Sequence, residues 1–300
     1  MTGGGDTGPI LVAGRAGQLA QALVRAAGRA HLPLIAAGRP ELDLTDADRV
    51  GQVIDAIRPS AIINAAGYTA VDLAESEPGR AFALNRDAAA RLAAAARQAA
   101  IPLIHLSTDY VFDGHKPGPY DEDDPASPLN AYGRSKLAGE EAVRDACPTA
   151  VVLRTSWVYG PAGRNFLRTM LDLATTRDEV RVVDDQHGAP TAAADLADAI
   201  LAIAAADPGR AGLYHLTASG ETTWYGFAAA IFAGWRERGH QVPRLMPIAS
   251  ADYPAAARRP ANSRLDCSRI AASLGIRLPH WQASLAACLD EIAGARAEAS

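Results

Sequence analysis

Short apolar segments alternate with stretches of helical length through the first half of this chain, and this alternation restricts the fold more than any other feature. The predicted strands are residues 10–13, 34–37, 61–64, 101–106, 150–153 and 181–183. The predicted helices are residues 18–27, 47–57, 79–99, 165–175, 193–205 and 223–238. Strands that alternate with helices form right-handed crossovers and a parallel sheet. Because the strands are continuously apolar, we expect helices on both faces of that sheet.

The pattern loosens after about residue 155. We therefore predict an α/β protein with a Rossmann-type, doubly wound parallel sheet and a smaller C-terminal substrate-binding lobe. The predicted division is a dinucleotide-binding domain over residues 1–155 and a substrate-binding lobe over residues 156–300, partly interleaved with the sheet. Half of the 300 residues are hydrophobic (49%), which is enough to bury a full core.

Charge and cysteine content exclude several classes of protein. The net charge of -5 and the lack of long basic stretches argue against a nucleic-acid partner. Cys147, Cys267 and Cys288 lie far apart without a CxxC pair, so neither a disulfide framework nor a zinc site is predicted. The sequence has no apolar run long enough for a membrane span and no secretory signal, so we expect a cytoplasmic protein without a membrane partner and claim no metal.

A glycine turn follows the first predicted strand and opens the first helix. Gly14, Gly17 and Ala20 form a GxxGxxA pattern. The first glycine permits a tight turn, the second lets a pyrophosphate approach the backbone, and the alanine allows close packing of helix on strand. The free N–H groups of the helix N-terminus would then bind the phosphates of a dinucleotide.

The end of the second strand bears on the choice of cofactor. Many dinucleotide domains carry an acid there, which binds the ribose hydroxyls of NADH. Here Gly38 and Arg39 occupy the position, and Arg15 lies in the glycine turn. Guanidinium groups bind phosphate in bidentate fashion, so we predict NADPH as the cofactor, with NADH left open.

Hydroxyl groups at the end of the fourth strand and a YxxxK pair indicate ketone reduction. Ser107 and Thr108 lie where open α/β sheets bind their ligands, while Tyr132 and Lys136 share one helical face. Reduction of a ketone requires a proton donor beside the hydride, and an ammonium group lowers the pKa of a nearby phenol. We predict Thr108, Tyr132 and Lys136 as catalytic, with Thr108 holding the carbonyl oxygen and Lys136 also binding the cofactor, whereas Ser107 is structural.

These motifs belong to an ordered series that resembles the dTDP-4-dehydrorhamnose reductases, which are extended short-chain dehydrogenases/reductases. The resemblance extends from Ile10 to about Trp281. The matching segments are 64–72 (NAAGYTAVD), 107–114 (STDYVFDG), 127–140 (SPLNAYGRSKLAGE), 154–159 (RTSWVY), 185–191 (DQHGAPT) and 259–265 (RPANSRL). The resemblance implies reduction of the 4-keto group of dTDP-4-dehydro-L-rhamnose to dTDP-L-rhamnose, with Tyr132 as proton donor, and a possible homodimer.

The resemblance also implies roles for individual residues. Besides Gly14 and Arg39, which the patterns above already predict, the residues that would contact the cofactor, from the pyrophosphate through the adenine to the nicotinamide end, are Gly17, Gln18, Leu19, Asp43, Leu44, Gly67, Tyr68, Thr69, Tyr132 and Lys136. Thr108 and Asp109 would contact the sugar, and Trp157 would lie against the substrate rather than pack in the core. Asn85 is either structural or a proton relay, and Arg259 either binds the diphosphate or is solvated.

Other functions stay open at this stage. One is reduction of another dTDP-4-keto-deoxysugar. A 4,6-dehydratase would carry an Asp-Glu pair after the threonine, but here Asp109 is followed by Tyr110; a 4-epimerase would retain its dinucleotide. A non-catalytic regulatory subunit of a methionine adenosyltransferase is similar to this family, although the complete set of Thr108, Tyr132 and Lys136 favours an enzyme.

Overall fold

A computed structural model describes residues 8–206 and 210–298 of the chain. The strands are β1 (Ile10–Ala13), β2 (Leu34–Ala37), β3 (Ala61–Asn64), β4 (Leu103–Thr108), β5 (Val151–Thr155), β6 (Val158–Tyr159), β7 (Glu179–Val183), β8 (His187–Gly188), β9 (Thr191–Ala192), β10 (Gly212–His215), β11 (Thr222–Thr223) and β12 (Arg244–Ile248). The α-helices are α1 (Gln18–Arg29), α2 (Ala47–Ile57), α3 (Val71–Ser76), α4 (Pro78–Phe82), α5 (Ala89–Gln98), α6 (Ala131–Ala146), α7 (Phe166–Leu173), α8 (Ala193–Ala205), α9 (Trp224–Glu237), α10 (Ser268–Leu274) and α11 (Trp281–Glu298). A π-helical segment, Ala83–Ala88, joins α4 to α5, and 3-10 turns span Asp109–Val111 and Ser250–Asp252.

Six parallel strands form the central sheet in the order β10-β5-β4-β3-β1-β2. The strand order reverses at β1, where Ala13 aligns with Ala37 of β2 on one side and with Asn64 of β3 on the other. Consecutive strands therefore diverge from β1, and the crevice beyond their carboxyl ends is the position at which such sheets bind ligands. The predicted doubly wound sheet is confirmed.

Helices cover both faces of the sheet, as the apolar strands require. The first face packs against α1 and α8, with Val12, Leu23, Ile63 and Ile200 in its core. The second face packs against α2, α5 and α6 through a core of different residues: Leu11, Ile54, Ile62, Leu92, Val143 and Val152. Alternate residues of one strand thus enter opposite layers, which is why the strands read as continuously apolar.

A second layer of packing lies beyond β5. The helices α7, α9 and α11 enclose a core that contains Phe227, Trp235 and Leu289, together with residues of the small β7–β12 sheet. Asn165 begins α7 by accepting the Arg168 N–H at 2.9 Å, which is a typical N-cap. The start of α7 lies close to the glycine turn, since Asn165 donates to Gln18 at 2.8 Å.

Three elements differ from the sequence prediction. The strand predicted at 181–183 exists as part of β7, but it pairs with β12 outside the central sheet. The sixth strand of the central sheet, β10, was not predicted, and it comes from the C-terminal half of the chain. The single helix predicted at 79–99 is divided by the π-helical segment. The predicted domain boundary at residue 155 stays a prediction, although β10 and α8 show how the C-terminal half contributes to the sheet.

None of the helices in the described ranges is long and apolar enough to cross a membrane.

Candidate active site

A cleft of about 520 Å³ opens at the carboxyl ends of β1, β2 and β3. Its walls are the glycine turn, the segment after β2, the loop after β3 and the π-helical segment. Seven residues predicted to bind the cofactor line it: Gly14, Gly17, Arg39, Asp43, Leu44, Gly67 and Tyr68. Gln18, Leu19 and Thr69 border these residues along the chain without lining the cleft, and the catalytic candidates follow at the end of the neighbouring strand β4.

The glycine turn leaves the N-terminus of α1 open to this cleft. Gly14 has φ of 115°, and a Cβ there would lie 3.2 Å from the Ala66 nitrogen, so a side chain is excluded by both conformation and space. At Gly17 a Cβ would meet nothing within 4 Å. No side chain caps α1, and its first turn carries no acidic residue. The free N–H groups of this turn can therefore bind an anion.

The two arginines beside the end of β2, Arg15 and Arg39, differ in their partners. Arg15 forms an ion pair with Glu41 at 2.9 Å and donates to the Arg39 carbonyl at 3.1 Å. The exposed Arg39 side chain makes no hydrogen bond or ion pair within the part of the chain that the structure describes. Thr45 donates its hydroxyl and its N–H to Asp43, and these bonds hold the pKa of that carboxyl below its usual range, with the Arg39 charge as a smaller contribution. Arg39 is thus the arginine whose charge faces the cleft unpaired.

Asn85 fixes the loop after β3 against α6. Its Oδ1 accepts the Tyr68 N–H at 2.7 Å, and its Nδ2 donates to the Tyr68 carbonyl and to the Ser135 hydroxyl at 3.1 and 2.8 Å. Ser135 in turn donates to the Tyr132 carbonyl at 2.7 Å. Because all these bonds position backbone, the arrangement supports a structural role for Asn85.

Tyr132, Thr108 and Asp109 lie in contact at the end of β4. The Thr108 hydroxyl lies beside the Tyr132 hydroxyl and favours a lower pKa for the phenol. Thr108 also accepts the Tyr110 N–H at 3.2 Å and donates to Asp109 Oδ1 at 3.1 Å. Burial raises the pKa of Tyr132 to about 12, so the phenol keeps its proton at neutral pH. The expected lowering of this pKa by Lys136 is not found, because the ammonium group donates to the Leu106 carbonyl and not to the phenol.

Lys136 is buried one helical turn after Tyr132 and points at β4. Its Nζ donates to the Leu106 carbonyl at 2.5 Å. Burial lowers its pKa to about 8, against the opposing charge of Glu140. Nearby, Asn64 pairs with His105 Nδ1 at 3.0 Å, and burial followed by the charge of Lys136 holds the pKa of His105 well below its usual value. His105 is therefore neutral, and the lysine carries the positive charge of this region.

Ser107 belongs to a buried ion-pair network beneath α6. Its hydroxyl donates to Glu140, which binds Arg154 through three hydrogen bonds, the shortest at 2.7 Å. Arg154 and Glu140 are almost completely buried, and such a pair requires both partners. The structural interpretation of Ser107 fits this network.

Trp157 is held in an unusual backbone conformation beside the cleft. It has φ of 48°, and its ring stacks on Trp224 with centroids 3.6 Å apart. A Cβ at Gly188 would lie 2.6 Å from the same ring. Only 9% of the Trp157 side chain is exposed, so most of its surface is used for packing, and its contact with substrate stays a prediction.

Arg259 forms an ion pair within the protein. The sequence analysis had predicted either contact with the diphosphate or a solvated side chain. Its guanidinium pairs with Asp72 of α3 at 2.6 Å, and Asp72 also accepts the Ala257 N–H at 3.0 Å. The segment around Arg259 is thereby attached to the loop region that follows β3. The arginine therefore joins two segments of the chain that are far apart in sequence.

Sequence reasoning missed His105 and Trp224 and left Asn85 undecided. Each is defined by a partner distant in the chain: Asn64, Trp157 and Ser135. The only local signal was for His105, which lies two residues before the 107–114 segment, whereas Asn85 and Trp224 lie outside every matching segment. Among residues 8–206 and 210–298, no group of three or more His, Cys, Asp or Glu side chains is placed to hold a metal ion.

The chain is similar to known proteins over most of its length. A sequence model of the family described as RmlD substrate binding domain matches residues 8–293. The chain is 47% identical over 281 residues to a dTDP-4-dehydrorhamnose reductase of Sinorhizobium fredii, covering 92% of this chain and 94% of that protein. It is 44% identical over 255 residues to a protein of the same name from Escherichia coli K12, covering 83% and 85%.

A solved structure is similar along the whole fold. The crystal structure of a Bacillus anthracis dTDP-4-dehydrorhamnose reductase in complex with NADP matches with a TM-score of 0.90 at 34% identity. The match covers 95% of this chain and 99% of that one.

Proposed function

The chain belongs to the dTDP-4-dehydrorhamnose reductase family, and we propose that it reduces the 4-keto group of dTDP-4-dehydro-L-rhamnose, with NADPH as cofactor and Tyr132 as proton donor. The observation that carries this proposal is the contact between the Tyr132 and Thr108 hydroxyls at the end of β4, beside the glycine-turn cleft. A proton donor next to a dinucleotide site is what reduction of a ketone requires.

The residues of the cleft fit a dinucleotide. Gly14 and Gly17 keep side chains away from the turn, and the uncapped N-terminus of α1 offers N–H groups to a pyrophosphate. Arg39 offers a free guanidinium for the 2′-phosphate that distinguishes NADPH from NADH. Position 38 has little room for the acidic side chain that other dinucleotide domains carry there. A Cβ on Gly38 would lie 3.3 Å from the Arg15 Cβ. When bound, NADPH supplies the hydride that reduces the ketone carbon.

Tyr132 is proposed to donate its proton to the keto oxygen as the reduction proceeds. With a pKa of about 12 the phenol is fully protonated at neutral pH, and it is still a much stronger acid than the alcohol that forms. Thr108 supports this oxygen from the strand side. Lys136, anchored on the Leu106 carbonyl one helical turn after Tyr132, is proposed to bind the cofactor.

Asp109 and Trp157 are proposed as contacts of the sugar. A 4,6-dehydratase needs a second carboxylate after Asp109, and the Tyr110 phenol occupies that position. This favours simple reduction over elimination of water.

The test is a turnover assay with purified protein, NADPH and enzymatically generated dTDP-4-dehydro-L-rhamnose. We expect oxidation of NADPH, followed by its near-ultraviolet absorbance, together with stoichiometric dTDP-L-rhamnose. Turnover of a different dTDP-4-keto-deoxysugar at much higher kcat/KM would replace the substrate in this proposal. Folded protein that oxidises neither NADPH nor NADH with any such sugar would overturn it in favour of a non-catalytic partner role.

A further inference from the structure

We propose that Asp109 is the proton reservoir for the reaction and that it reloads Tyr132 through the Thr108 hydroxyl. This inference rests on the proposed function, since it takes Tyr132 as the donor to the keto oxygen. It adds a role for Asp109 beyond contact with the sugar. Asp109 acts through Thr108 and is therefore a positioning residue rather than a catalytic one.

Three side chains lie in series at the end of β4 and can pass a proton from one to the next. Tyr132 contacts the Thr108 hydroxyl, and Thr108 Oγ1 lies 3.1 Å from Asp109 Oδ1. The path is short and buried, since Thr108 and Asp109 are 6% and 3% exposed. A proton moving along it needs no bulk water between the three groups.

The hydrogen-bonding capacity of Thr108 allows two complete arrangements. A threonine hydroxyl donates one hydrogen bond and accepts two. With Asp109 ionised and Tyr132 protonated, Thr108 donates to Asp109 and accepts from Tyr132 and from the Tyr110 N–H. With Asp109 protonated and Tyr132 ionised, Thr108 accepts from Asp109 and the Tyr110 N–H and donates to the phenolate. In both arrangements Thr108 donates one hydrogen bond and accepts two, so its hydroxyl stays fully hydrogen-bonded before and after the proton moves.

The surroundings of Asp109 favour a carboxylic acid that can give up its proton. Its Oδ2 is buried without a hydrogen bond, and within the described ranges it forms no ion pair. The titratable groups that face it are Tyr110 on its own turn and Tyr132 on α6. Arg259 lies beside Tyr110, and its guanidinium is paired with Asp72. Burial raises the pKa of Asp109 to about 7, against the smaller opposing effects of the neighbouring Ser263 and Thr108 hydroxyls. The group is therefore near half-protonation at neutral pH, which suits a donor and acceptor of protons.

The proton transfers balance without any further reagent. The reduced keto oxygen takes the Tyr132 proton, the resulting phenolate takes the Thr108 proton, and Thr108 takes the proton of Asp109. Asp109 is left as a carboxylate and recovers a proton from solvent before the next turnover. One proton is consumed per ketone reduced, as the reaction requires.

The test compares wild-type protein with Asp109→Asn across a range of pH, measuring kcat and KM separately. Wild-type kcat should fall as pH rises through about 7, because Asp109 loses the proton that it would pass to Tyr132. In Asp109→Asn we expect kcat to be lowered by about tenfold or more and this alkaline limb to disappear, with NADPH affinity unchanged by fluorescence titration. An unaltered limb in the variant, or a raised KM with the kcat profile of the wild type, would overturn the proposal and leave Asp109 as a ligand of the sugar only.

Matched variants show whether the alkaline limb of kcat comes from the path through Thr108 or from the loss of any buried carboxyl. Glu122 is also buried with a raised pKa, but it accepts the His215 N–H away from this path, so Glu122→Gln should keep the limb. Thr108→Val should remove the limb and Thr108→Ser should restore it.

A measurement without turnover distinguishes failure of this inference from failure of the proposed function. Difference infrared spectra of the wild type should contain a carboxylic-acid band that titrates near pH 7, is absent from Asp109→Asn and shifts in Thr108→Val. Absence of that band would overturn the reservoir even in an active reductase. Its presence in a protein inactive towards dTDP-4-keto-sugars would sustain the path and refute the substrate.

Discussion

Burial keeps the Tyr132 side chain in its phenol form over the whole neutral range. Its pKa is raised to about 12, while burial lowers the pKa of Lys136 to about 8. The lysine donates to the Leu106 carbonyl instead of pointing its charge at the phenol. For a reductase this is the useful state, because the group that must give a proton still holds it when substrate arrives.

Replacing Tyr132 by phenylalanine should therefore remove the proton donor and little else. We expect kcat to fall by about 10²- to 10⁴-fold, the usual contribution of a positioned general acid. NADPH affinity, measured by fluorescence titration, should stay near that of the wild type. A variant with near-normal kcat would mean that another group supplies the proton.

Arg39 and Arg15 offer a matched pair for the choice of cofactor. Arg39 has no ion-pair partner among the described residues, whereas Arg15 is paired with Glu41. Loss of a charge-assisted hydrogen bond costs about 1.5–3 kcal/mol, or about 10- to 100-fold in affinity. Arg39→Ala should lower kcat/KM for NADPH by that factor with little change for NADH, and Arg15→Ala should have a smaller effect. Equal losses for both cofactors would refute recognition of the 2′-phosphate by Arg39.

The sequence predicted the residues of the site better than their partners. Thr108 and Tyr132 were expected to meet because strand ends and helix faces follow from local patterns. The bonds of Asn85 to Ser135 and of Asn64 to His105 join residues 50 and 41 positions apart. No local pattern encodes such pairs, so these supporting residues needed the three-dimensional structure.

At the level of elements, the π-helical segment Ala83–Ala88 adapts one helix to the site. It carries Asn85, whose side chain ties the loop after β3 to α6. Such segments often occur where a helix contributes to a functional site. An alanine-rich sequence favours continuous helix, so the interruption was not predictable from propensity.

Gly139 on α6 is the position that allows this close approach. A Cβ there would lie 2.1 Å from the Asn85 carbonyl oxygen, so backbone must move to admit one. We expect Gly139→Ala to lower the free energy of unfolding by about 1–3 kcal/mol, as overpacking commonly does, and to raise KM for NADPH by displacing the Tyr68 loop. Urea denaturation measures the first effect and kinetics the second.

Gly51 in α2 is the control for that substitution, because a Cβ there meets nothing within 4 Å. Gly51→Ala should stabilise the protein by up to about 1 kcal/mol through helix propensity. Equal effects of the two substitutions would contradict the clash at Gly139.

Strand pairing was the weakest prediction for the elements. The apolar segment in β7 predicts a strand but does not say which sheet it joins, and it pairs with β12. The strand β10 includes Tyr214 and His215 with Gly212 at its start, a short and mixed pattern that resembles loop. Partner choice depends on non-local contacts, which periodicity does not contain.

At the scale of the whole molecule, contacts between distant segments enclose the site. Asn165 at the start of α7 donates to Gln18 of α1 at 2.8 Å, and Arg259 pairs with Asp72. The alternation of strands and helices sufficed to predict the sheet, since crossover handedness leaves few topologies. The handedness rule did not predict that β10, from the second half of the chain, pairs with β5 as the sixth strand.

The buried Asp109 carboxyl should make the stability of the whole protein depend on pH. Its folded-state pKa of about 7 exceeds the ordinary value of 3.8, so its contribution is fully favourable below about pH 4 and is lost as pH rises through about 7. The difference corresponds to about 4 kcal/mol as an upper limit. Asparagine cannot ionise, so Asp109→Asn should be less stable than or similar to wild type near pH 5 and more stable by about 1–3 kcal/mol near pH 8.

Urea denaturation of both proteins across this range measures the effect. His105 and His215, whose pKa values are lowered by burial, titrate in both proteins and cancel in the difference. Asp113 provides the opposite sign, because hydrogen bonds from the His115 N–H and the Tyr120 hydroxyl lower its pKa. Asp113→Asn should therefore lose stability relative to wild type as pH rises up to about 4, and its stability curve should run parallel to that of wild type from about pH 5 to 8. Parallel stability curves for Asp109→Asn and wild type would mean that Asp109 is ionised throughout this range, and the proton path through Thr108 would then lack its source.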